Sequence, residues 1–141
     1  MHMNEKELKD FYITSDTWFG RPQILQIANR LQFKNIEDMN NQLIKNWNKK
    51  VKKSDPVFHL GNFAWDPATA RKVLKKLNGR IFFLRGSEDT ALEEVIDSFP
   101  NASFLEDSIT ELVDFDTVLC HYPLSVWNGK DSGTIHMHGH T

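Results

Sequence analysis

The feature that most constrains the fold is a run of strand-like residues that stops abruptly at a polar side chain. Residues 11–14 (FYIT) are followed by Ser15-Asp16, and Gly20 closes the segment. Aromatic and β-branched residues favour strands, and glycine favours a turn. A carboxylate at the end of a buried strand lies at the carboxyl edge of a sheet, where α/β folds bind ligands. Asp16 is equally compatible with an ordinary turn, because aspartate is common there.

The same arrangement recurs three times along the chain. Residues 57–60 end at Gly61-Asn62, residues 80–85 end at Gly86-Ser87, and a run beginning at Thr117 ends at His121. Helical spacing of apolar residues predicts four helices in the chain up to Pro100. Two follow the first strand-like run, and one follows each of the next two runs. The first helix is expected to bury Ile24, Ile27 and Leu31. Pro22 lies near the start of the first helix, and Asn35, Asp66 and Thr90 are the expected N-caps of the next three.

After Pro100 the pattern changes to short strands separated by turn residues. Residues 102–105, 109–113, 117–121 and 134–138 indicate a more antiparallel part. Strands that alternate with helices and are followed by runs of strands predict an α/β layered fold in which a second sheet completes a sandwich. The length of 141 residues suits one domain, residues 4–141, and residues 1–3 are interpreted as an expression scar.

Composition indicates a soluble, cytoplasmic protein. The chain is 40% apolar and 26% charged, with neither a signal peptide nor an apolar run long enough to cross a membrane. A single cysteine, Cys120, suits a reducing compartment and is expected to be a small core residue.

Charge is distributed unevenly along the chain. Residues 1–85 carry 16 Lys/Arg against 8 Asp/Glu, whereas residues 86–141 carry 1 against 11. Such polarity marks a partner surface or simply two halves that neutralise each other across the fold. Lysines in a last helical turn also favour the helix dipole. The lysines that would form a basic face are Lys49, Lys50, Lys52, Lys53, Lys72, Lys75 and Lys76.

The polar residues at the strand ends are of types that bind metals. Oxygen and imidazole ligands suit divalent Mn, Fe, Zn or Mg, and two such ions about 3.5–4 Å apart can clamp a phosphoester for in-line attack. The candidate ligands, in chain order, are Asp16, Asn62, Ser87, His121, His136, His138 and His140.

Six blocks of sequence resemble, in order, the motifs of the calcineurin-like metallophosphoesterases, most closely the small bacterial and phage branch. The resemblance covers nearly the whole chain and implies that family's fold, a β-sandwich flanked by helices, shortened here at the C-terminus. The blocks are residues 15–20 (SDTWFG), 59–63 (HLGNF), 77–79 (LNG), 86–89 (GSED), 120–124 (CHYPL) and 138–141 (HGHT).

The resemblance implies a first metal site that is largely lost. The family begins with Asp-x-His, and Asp16 is present but Trp18 replaces the histidine. The family's Gly-Asp supplies a carboxylate that bridges both metals, and Asn62 replaces it. The final Gly-His-x-His would end on a ligand one residue beyond Thr141. Without the bridging charge, two cations close together would repel each other with little to offset them.

The second metal site implied by the resemblance keeps two imidazoles, His121 and His140. Ser87 replaces the family's ligand asparagine, and Glu88 replaces the histidine that protonates the leaving group. A carboxylate is a poor proton donor at neutral pH. No catalytic residue is therefore intact, and Trp18 and Glu88 occupy vestigial positions. The expected cofactor is none, or at most one weakly bound Mn, Zn or Fe ion.

Each of these residues also has a structural interpretation. His136 and His138 alternate along a strand and are compatible with outward-facing positions, and His121 and His140 with buried, hydrogen-bonded ones. Trp18 and Phe19 would fill a vestigial pocket. Glu88 and Asp89 would favour the dipole of the helix that follows them.

The sequence therefore predicts a degenerate phosphoesterase that works by binding, through an unknown protein partner or self-association. The final strand, residues 134–138, is expected to leave an exposed edge that a partner covers. Two alternatives remain open: a residual phosphodiesterase or nuclease with one metal at His121 and His140, and a nucleic-acid-binding protein that uses the lysine face.

Overall fold

A computed structural model describes residues 3–140, which form two β-sheets and a layer of helices. The strands are β1 (Tyr12–Thr14), β2 (Pro56–His59), β3 (Arg80–Phe83), β4 (Ala102–Phe104), β5 (Ile109–Leu112), β6 (Thr117–Cys120) and β7 (Ile135–His138). The helices are α1 (Ile24–Ile27), α2 (Ile36–Lys50), α3 (Pro67–Leu74) and α4 (Thr90–Val95). Short 3₁₀ turns cover Glu5–Glu7, Ile96–Ser98, Val113–Phe115 and Lys130–Ser132.

The first sheet is parallel throughout, in the order β1-β2-β3-β4. Parallel neighbours need a crossover connection, and α2, α3 and α4 supply it between successive strands. The carboxyl ends of β1, β2 and β3 therefore meet at one edge of the sheet. The predicted α/β fold class is confirmed in this respect.

The second sheet, in the order β5-β6-β7, corrects the prediction of an antiparallel part. Only β5 and β6 are antiparallel, while β7 runs parallel to β6. The long connection between β6 and β7 returns the chain to the start of the sheet, so β7 enters in the same direction. β4 belongs to the first sheet instead, because the α4 crossover places it parallel to β3.

Apolar side chains fill two interfaces of this three-layer arrangement. Phe58 and Phe82 of the first sheet pack against Leu112 and Leu119 of the second. The opposite face of the first sheet packs against α3 and α4. Its buried cluster includes Phe19, Phe63, Val73, Leu74, Ile81, Phe83 and Leu92. Met3, assigned to an expression scar, packs partly against the inter-sheet core, and Met1 and His2 lie outside the described residues.

The predicted first helix is much shorter than its sequence pattern indicates. α1 is a single turn, and Ile27 and Leu31 are 60% and 65% exposed. Gln23 and Asn29 have φ values of 60° and 53°, which interrupt a right-handed helix on both sides.

Two of the predicted helix caps are confirmed and a third is corrected. The Asn35 side chain accepts the Asp38 N–H at 2.8 Å, and the Asp66 side chain accepts the Thr69 N–H at 2.9 Å. The fourth helix starts after Asp89, not after Thr90, and the Asp89 side chain does not cap it. Its carboxylate has other partners, described below.

Both sheets expose an edge strand to the same groove. β1 and β7 are edge strands, and between them lies an open cavity of about 700 Å³ lined by residues of both. Ile135 and Met137 of β7 are 55% and 38% exposed. None of the helices within residues 3–140 is long and apolar enough to cross a membrane.

Candidate functional site

The candidate site forms where the ends of β1, β2, β3 and β6 converge. The turn after β2 lies so close to its neighbours that a side chain at Gly61 would not fit. A Cβ at Gly61 would approach Gly86 Cα to 2.6 Å and His121 Nδ1 to 2.7 Å, and the residue has φ 112°. The Gly61 carbonyl accepts the Asp16 N–H at 2.9 Å. The four strand-end segments are therefore brought together as the sequence predicts.

The centre of the site is the side-chain amide of Asn62, which is 1% exposed. Its Nδ2 lies 3.0 Å from Asp16 Oδ1, 3.3 Å from Ser87 Oγ and 3.3 Å from His121 Nε2. Its Oδ1 accepts the Glu88 N–H at 3.0 Å. Because a backbone N–H requires an acceptor, this last bond fixes which end of the amide carries the nitrogen. The two N–H groups of the amide thus face three of the residues that the sequence offers as metal ligands.

His121 is held in the tautomer that receives this bond. Its Nδ1 lies 2.7 Å from the Leu60 carbonyl oxygen, which can only accept. Nδ1 therefore carries the hydrogen in the neutral ring, and Nε2 is left as an acceptor facing Asn62. At 1% exposure His121 is the buried, hydrogen-bonded histidine that one interpretation of the sequence describes.

Asp16 is held as a carboxylate by several donors. Burial raises the pKa of this carboxyl, but hydrogen bonds from the Ser15 hydroxyl, the His140 N–H and the Asn62 amide outweigh it, with a further contribution from His121. The net result is a pKa below the ordinary aspartate value. Arg30 lies beside this group and donates to the carbonyl oxygens of Asp16 and Thr17, each at 2.7 Å.

Asp89 is a structural anchor of the site that sequence reasoning missed. It is 5% exposed, and its carboxylate accepts the backbone N–H groups of Asn62 (2.9 Å), Phe63 (3.0 Å) and Gly86 (2.5 Å). One carboxylate therefore joins the turn after β2 to the turn after β3. The sequence signal is the position of Asp89 in the 86–89 block, directly before a predicted helix. There the carboxylate is expected to stabilise the helix dipole. Asp89 does stand at the N-cap of α4, but its carboxylate makes no cap hydrogen bond and instead accepts from the two turns.

A second missed group is His59, which is fully buried at the end of β2. The Thr17 hydroxyl donates to the Phe63 carbonyl at 2.9 Å and so accepts from His59 Nε2, also at 2.9 Å. The opposite ring nitrogen accepts the Gly61 N–H at 3.1 Å. Burial lowers the pKa of His59 to about 4, so the ring is neutral at physiological pH.

Trp18 forms one wall of the site. The indole is 8% exposed and packs with Ile24, Leu25 and Met39, and the residue has φ 53°. The guanidinium carbon of Arg21 lies 4.2 Å from the Trp18 ring centroid. The cluster ties the short α1 and the start of α2 to the strand-end turn that carries Asp16.

A cavity of about 930 Å³ opens over these groups. Its lining combines acidic, basic and aromatic side chains. They include Asp16, Trp18, Arg21, Arg30, Asn62, Ser87, Glu88 and His140. His140 is exposed, so the buried, hydrogen-bonded interpretation does not describe it, and its ring centroid lies 5.0 Å from that of His121. Thr141 lies outside the described residues.

Neither histidine of β7 hydrogen-bonds to Asn62, although His138 lines the cavity that opens over it. His136 is half-buried, and its Nε2 accepts the Leu124 N–H at 3.0 Å, which ties the loop after β6 to β7. His138 is exposed, with Nδ1 2.7 Å from the Gly139 oxygen. The outward-facing interpretation therefore describes His138 but only partly describes His136.

The donor set does not fit a pair of metal ions. In the part of the chain from Met3 to His140, no three His, Cys, Asp or Glu side chains are placed to hold one ion. The position that a bridging carboxylate would need carries a neutral amide whose N–H groups point at the surrounding acceptors. A cation and an N–H donor compete for the same lone pairs, so the bonds of Asn62 use the oxygens and nitrogens that a metal would need.

The lysine face lies at the opposite end of the first sheet. All seven of its lysines are exposed, and they follow or end α2 and α3, whose C-termini lead into the starts of β2 and β3. They contribute nothing to the cavity at the strand ends.

Comparisons with known proteins give relatives without a described activity. No protein-family model matches the chain. A crystal structure of the protein of unknown function AQ665 from Aquifex aeolicus matches with a TM-score of 0.61 and 26% sequence identity, over 80% of this chain and 60% of that one. This chain thus spans less than two thirds of the AQ665 chain. Uncharacterized protein MJ1445 of Methanocaldococcus jannaschii is 34% identical over 136 residues, which cover 94% of this chain and 69% of that protein. The chain belongs to the same family as MJ1445.

Proposed function

We propose that this chain has a calcineurin-like metallophosphoesterase fold whose dinuclear centre has been replaced by a hydrogen-bonded amide, and that it works by binding. The proposal rests on the sequence blocks that resemble that family, on their placement at converging strand ends, and on the helix–sheet–sheet layering. A cytoplasmic location is part of the proposal, because the free Cys120 is buried in the core of β6.

The Asn62 amide is the observation that carries the proposal. Its nitrogen stands among a carboxylate, a hydroxyl and an imidazole at 3.0–3.3 Å. These contacts satisfy buried polar groups without any ion, because the amide donates where the groups accept. The negative charge of Asp16 is stabilised by three neutral donors instead of two cations. Such a centre keeps its shape but supplies neither a metal-activated water nor a Lewis acid.

The alternative function is a residual phosphoesterase that uses one ion at His121 and His140. It is favoured by the 5.0 Å separation of the two rings and by the contact of Asp16 with the His140 N–H at 3.1 Å. An ion at His121 Nε2 would have to displace the Asn62 contact. We therefore rank this function second.

The edge of β7 is the surface that we propose for the partner. In residues 3–140, β7 pairs with β6 alone, and the cavity of about 700 Å³ beside it is bounded by a second edge strand, β1. Two edges that leave backbone donors and acceptors unpaired are complementary to an extended strand. We propose that the strand comes from another protein. Light scattering at several concentrations tests for a second copy instead, which would give a mass that rises toward the dimer.

Hydrolysis of a simple phosphodiester is expected to stay at background. The assay is turnover of bis(p-nitrophenyl) phosphate in excess Mn²⁺, with His121→Ala and the distant Lys53→Ala as paired variants. Parent and both variants should give the same residual rate, because the site lacks a bridging carboxylate and a histidine proton donor. Turnover that His121→Ala abolishes and Lys53→Ala retains would establish the alternative enzyme function and refute the binding proposal.

A further inference from the structure

One end of the molecule carries a dense set of cations that the site at the strand ends does not use. We name the seven lysines 49, 50, 52, 53, 72, 75 and 76 the basic end. α2 and α3 both finish there, at the amino edge of the parallel sheet, whereas Asp16, Asn62 and Ser87 lie at the carboxyl edge. The basic end and the cavity therefore lie at opposite ends of the strands of the first sheet.

Hydrogen bonds fix the two helix ends to each other. The Asn48 side chain donates to the Lys76 carbonyl at 2.7 Å and accepts the Asn78 N–H at 2.8 Å. The indole N–H of Trp47 donates to the Asn78 carbonyl at 2.9 Å, and the Asn78 amide donates to the Val51 carbonyl at 3.0 Å. The lysines that follow α2 and those that follow α3 are thereby held as one surface.

Carboxylates are sparse in the segments that carry this surface. Between residues 45 and 80 the only carboxylates are Asp55 and Asp66. Asp55 accepts the Lys52 backbone N–H at 2.9 Å, and Asp66 caps the far end of α3. The one ion pair in the described part of the chain, Arg85 with Glu93, lies elsewhere. The lysine ammonium groups therefore point to solvent unpaired by any described carboxylate.

Stabilisation of the helix dipoles does not account for the whole set. The dipole interaction falls off within the last turn of a helix. Lys49, Lys50 and Lys72 lie within the last turns of α2 and α3, Lys75 is the C-cap of α3, and Lys52, Lys53 and Lys76 follow directly. A helix C-terminus carries only about half a negative charge, so the two ends together offset about one of the seven positive charges. Keeping these like charges together costs free energy unless a partner neutralises them.

From this geometry we infer that the basic end binds the phosphate backbone of a nucleic acid, without reading its sequence. Exposed lysines arranged along two tied helix ends neutralise repeated phosphates, and counterion release drives such binding. A membrane surface fits less well. The large exposed apolar side chains that membrane association needs are absent from residues 45–53 and 71–80, all of which the structure describes.

The test measures affinity for a short DNA duplex, and for an RNA duplex of the same length, across a salt series. Binding in the micromolar range at about 50 mM salt is expected, with log K falling by about 0.9 per neutralised phosphate for each decade of salt, for about four to seven phosphates. DNA and RNA should behave alike, because the shared feature is the backbone. A duplex affinity that is undetectable or independent of salt would overturn the inference.

Charge reversal tests the location. The variant Lys53→Glu/Lys72→Glu/Lys76→Glu alters the basic end, and the control Lys6→Glu/Lys9→Glu/Lys34→Glu gives the same net charge at three other exposed lysines. The basic-end variant should weaken duplex binding at least about tenfold. Its salt slope should be smaller by the contribution of about three phosphates. The control should weaken duplex binding only slightly. Equal losses in both would mean that overall charge, not this surface, binds the duplex, and would overturn the inference.

Two further arms identify other anionic partners. Phosphatidylserine vesicles and polyglutamate are each offered as competitors of the labelled duplex. If either competitor displaces the labelled duplex better than unlabelled duplex does at equal charge, nucleic acid is rejected as the partner. If the triple variant does not fold, Lys→Gln substitution at the same three positions removes charge without reversing it, and the expected loss is about half as large in log K. The inference does not depend on the proposed function, since none of these lysines lines the cavity.

Discussion

Replacing Asp89 with alanine is expected to lower the free energy of unfolding by about 3–5 kcal/mol. The carboxylate is buried and accepts three backbone N–H groups, from the turns after β2 and β3. Alanine would leave those donors without partners in a site that water reaches poorly. Each unsatisfied buried donor costs about 1–3 kcal/mol, and partial relaxation keeps the total below the simple sum.

Chemical denaturation at neutral pH measures this loss. Asp97→Ala is the matched control, because Asp97 follows the same helix but is exposed and makes no side-chain hydrogen bond among the described residues. The control should change stability by no more than about 0.5 kcal/mol. A loss below about 1 kcal/mol for Asp89→Ala would mean that the carboxylate does not anchor the two turns.

The second large effect concerns acid, and its source is His59. Burial holds the pKa of this ring at about 4 in the folded chain, against 6.5 for an ordinary histidine. As the pH falls below 6.5 the unfolded chain takes up the proton and the folded chain does not. The contribution of His59 to the free energy of unfolding is therefore fully present above pH 6.5. It is lost progressively as the pH falls to 4. The full loss corresponds to about 3 kcal/mol.

A comparison with His59→Asn isolates this contribution from that of the carboxylates. Asparagine keeps a short acceptor toward the Gly61 N–H but does not titrate, so the variant should be less stable than the parent at pH 7. The stability difference between them should shrink by about 3 kcal/mol between pH 7 and pH 4. Gln42→Ala, which exchanges an exposed side chain that does not titrate, should keep a constant difference. A constant difference for His59→Asn would contradict the assigned burial of a neutral ring.

The sequence was sufficient to predict the converging strand ends. Each strand is a short apolar run, and each stops at a polar residue, so both signals are local. Because the strands are parallel, residues that follow them meet at one edge whatever their separation along the chain. Asp16, Asn62 and Ser87 are brought together for this reason, whereas His121 follows β6 of the second sheet and meets them where the two sheets pack.

The groups that the sequence did not reveal depend on distant partners. Asp89 contacts the N–H of a residue 27 positions earlier, and nothing local distinguishes it from a helix-start carboxylate. His59 lies inside an apolar run, where a polar residue looks like part of the core. The direction of β7 and the shortness of α1 likewise follow from tertiary packing and from left-handed residues at Gln23 and Asn29, which periodicity does not register.

The bonds of Asn62 define what the site can do. The amide oxygen holds the Glu88 N–H, and the two N–H groups of the nitrogen face three acceptors, which keeps the surrounding turns in register. In the function that we propose, the residue preserves the shape of a metal centre while occupying its coordination positions. Loss of hydrolysis together with retention of the fold is therefore expected.

Metal stoichiometry tests the account most directly. The protein is incubated with excess Mn²⁺, desalted, and measured by elemental analysis beside the variant Trp18→His/Asn62→Asp. The parent is predicted to retain less than one equivalent per chain, and the variant clearly more, because a carboxylate and an imidazole then replace the amide donor and the indole. Two equivalents bound to the parent would contradict the claim that the Asn62 amide has replaced the dinuclear centre.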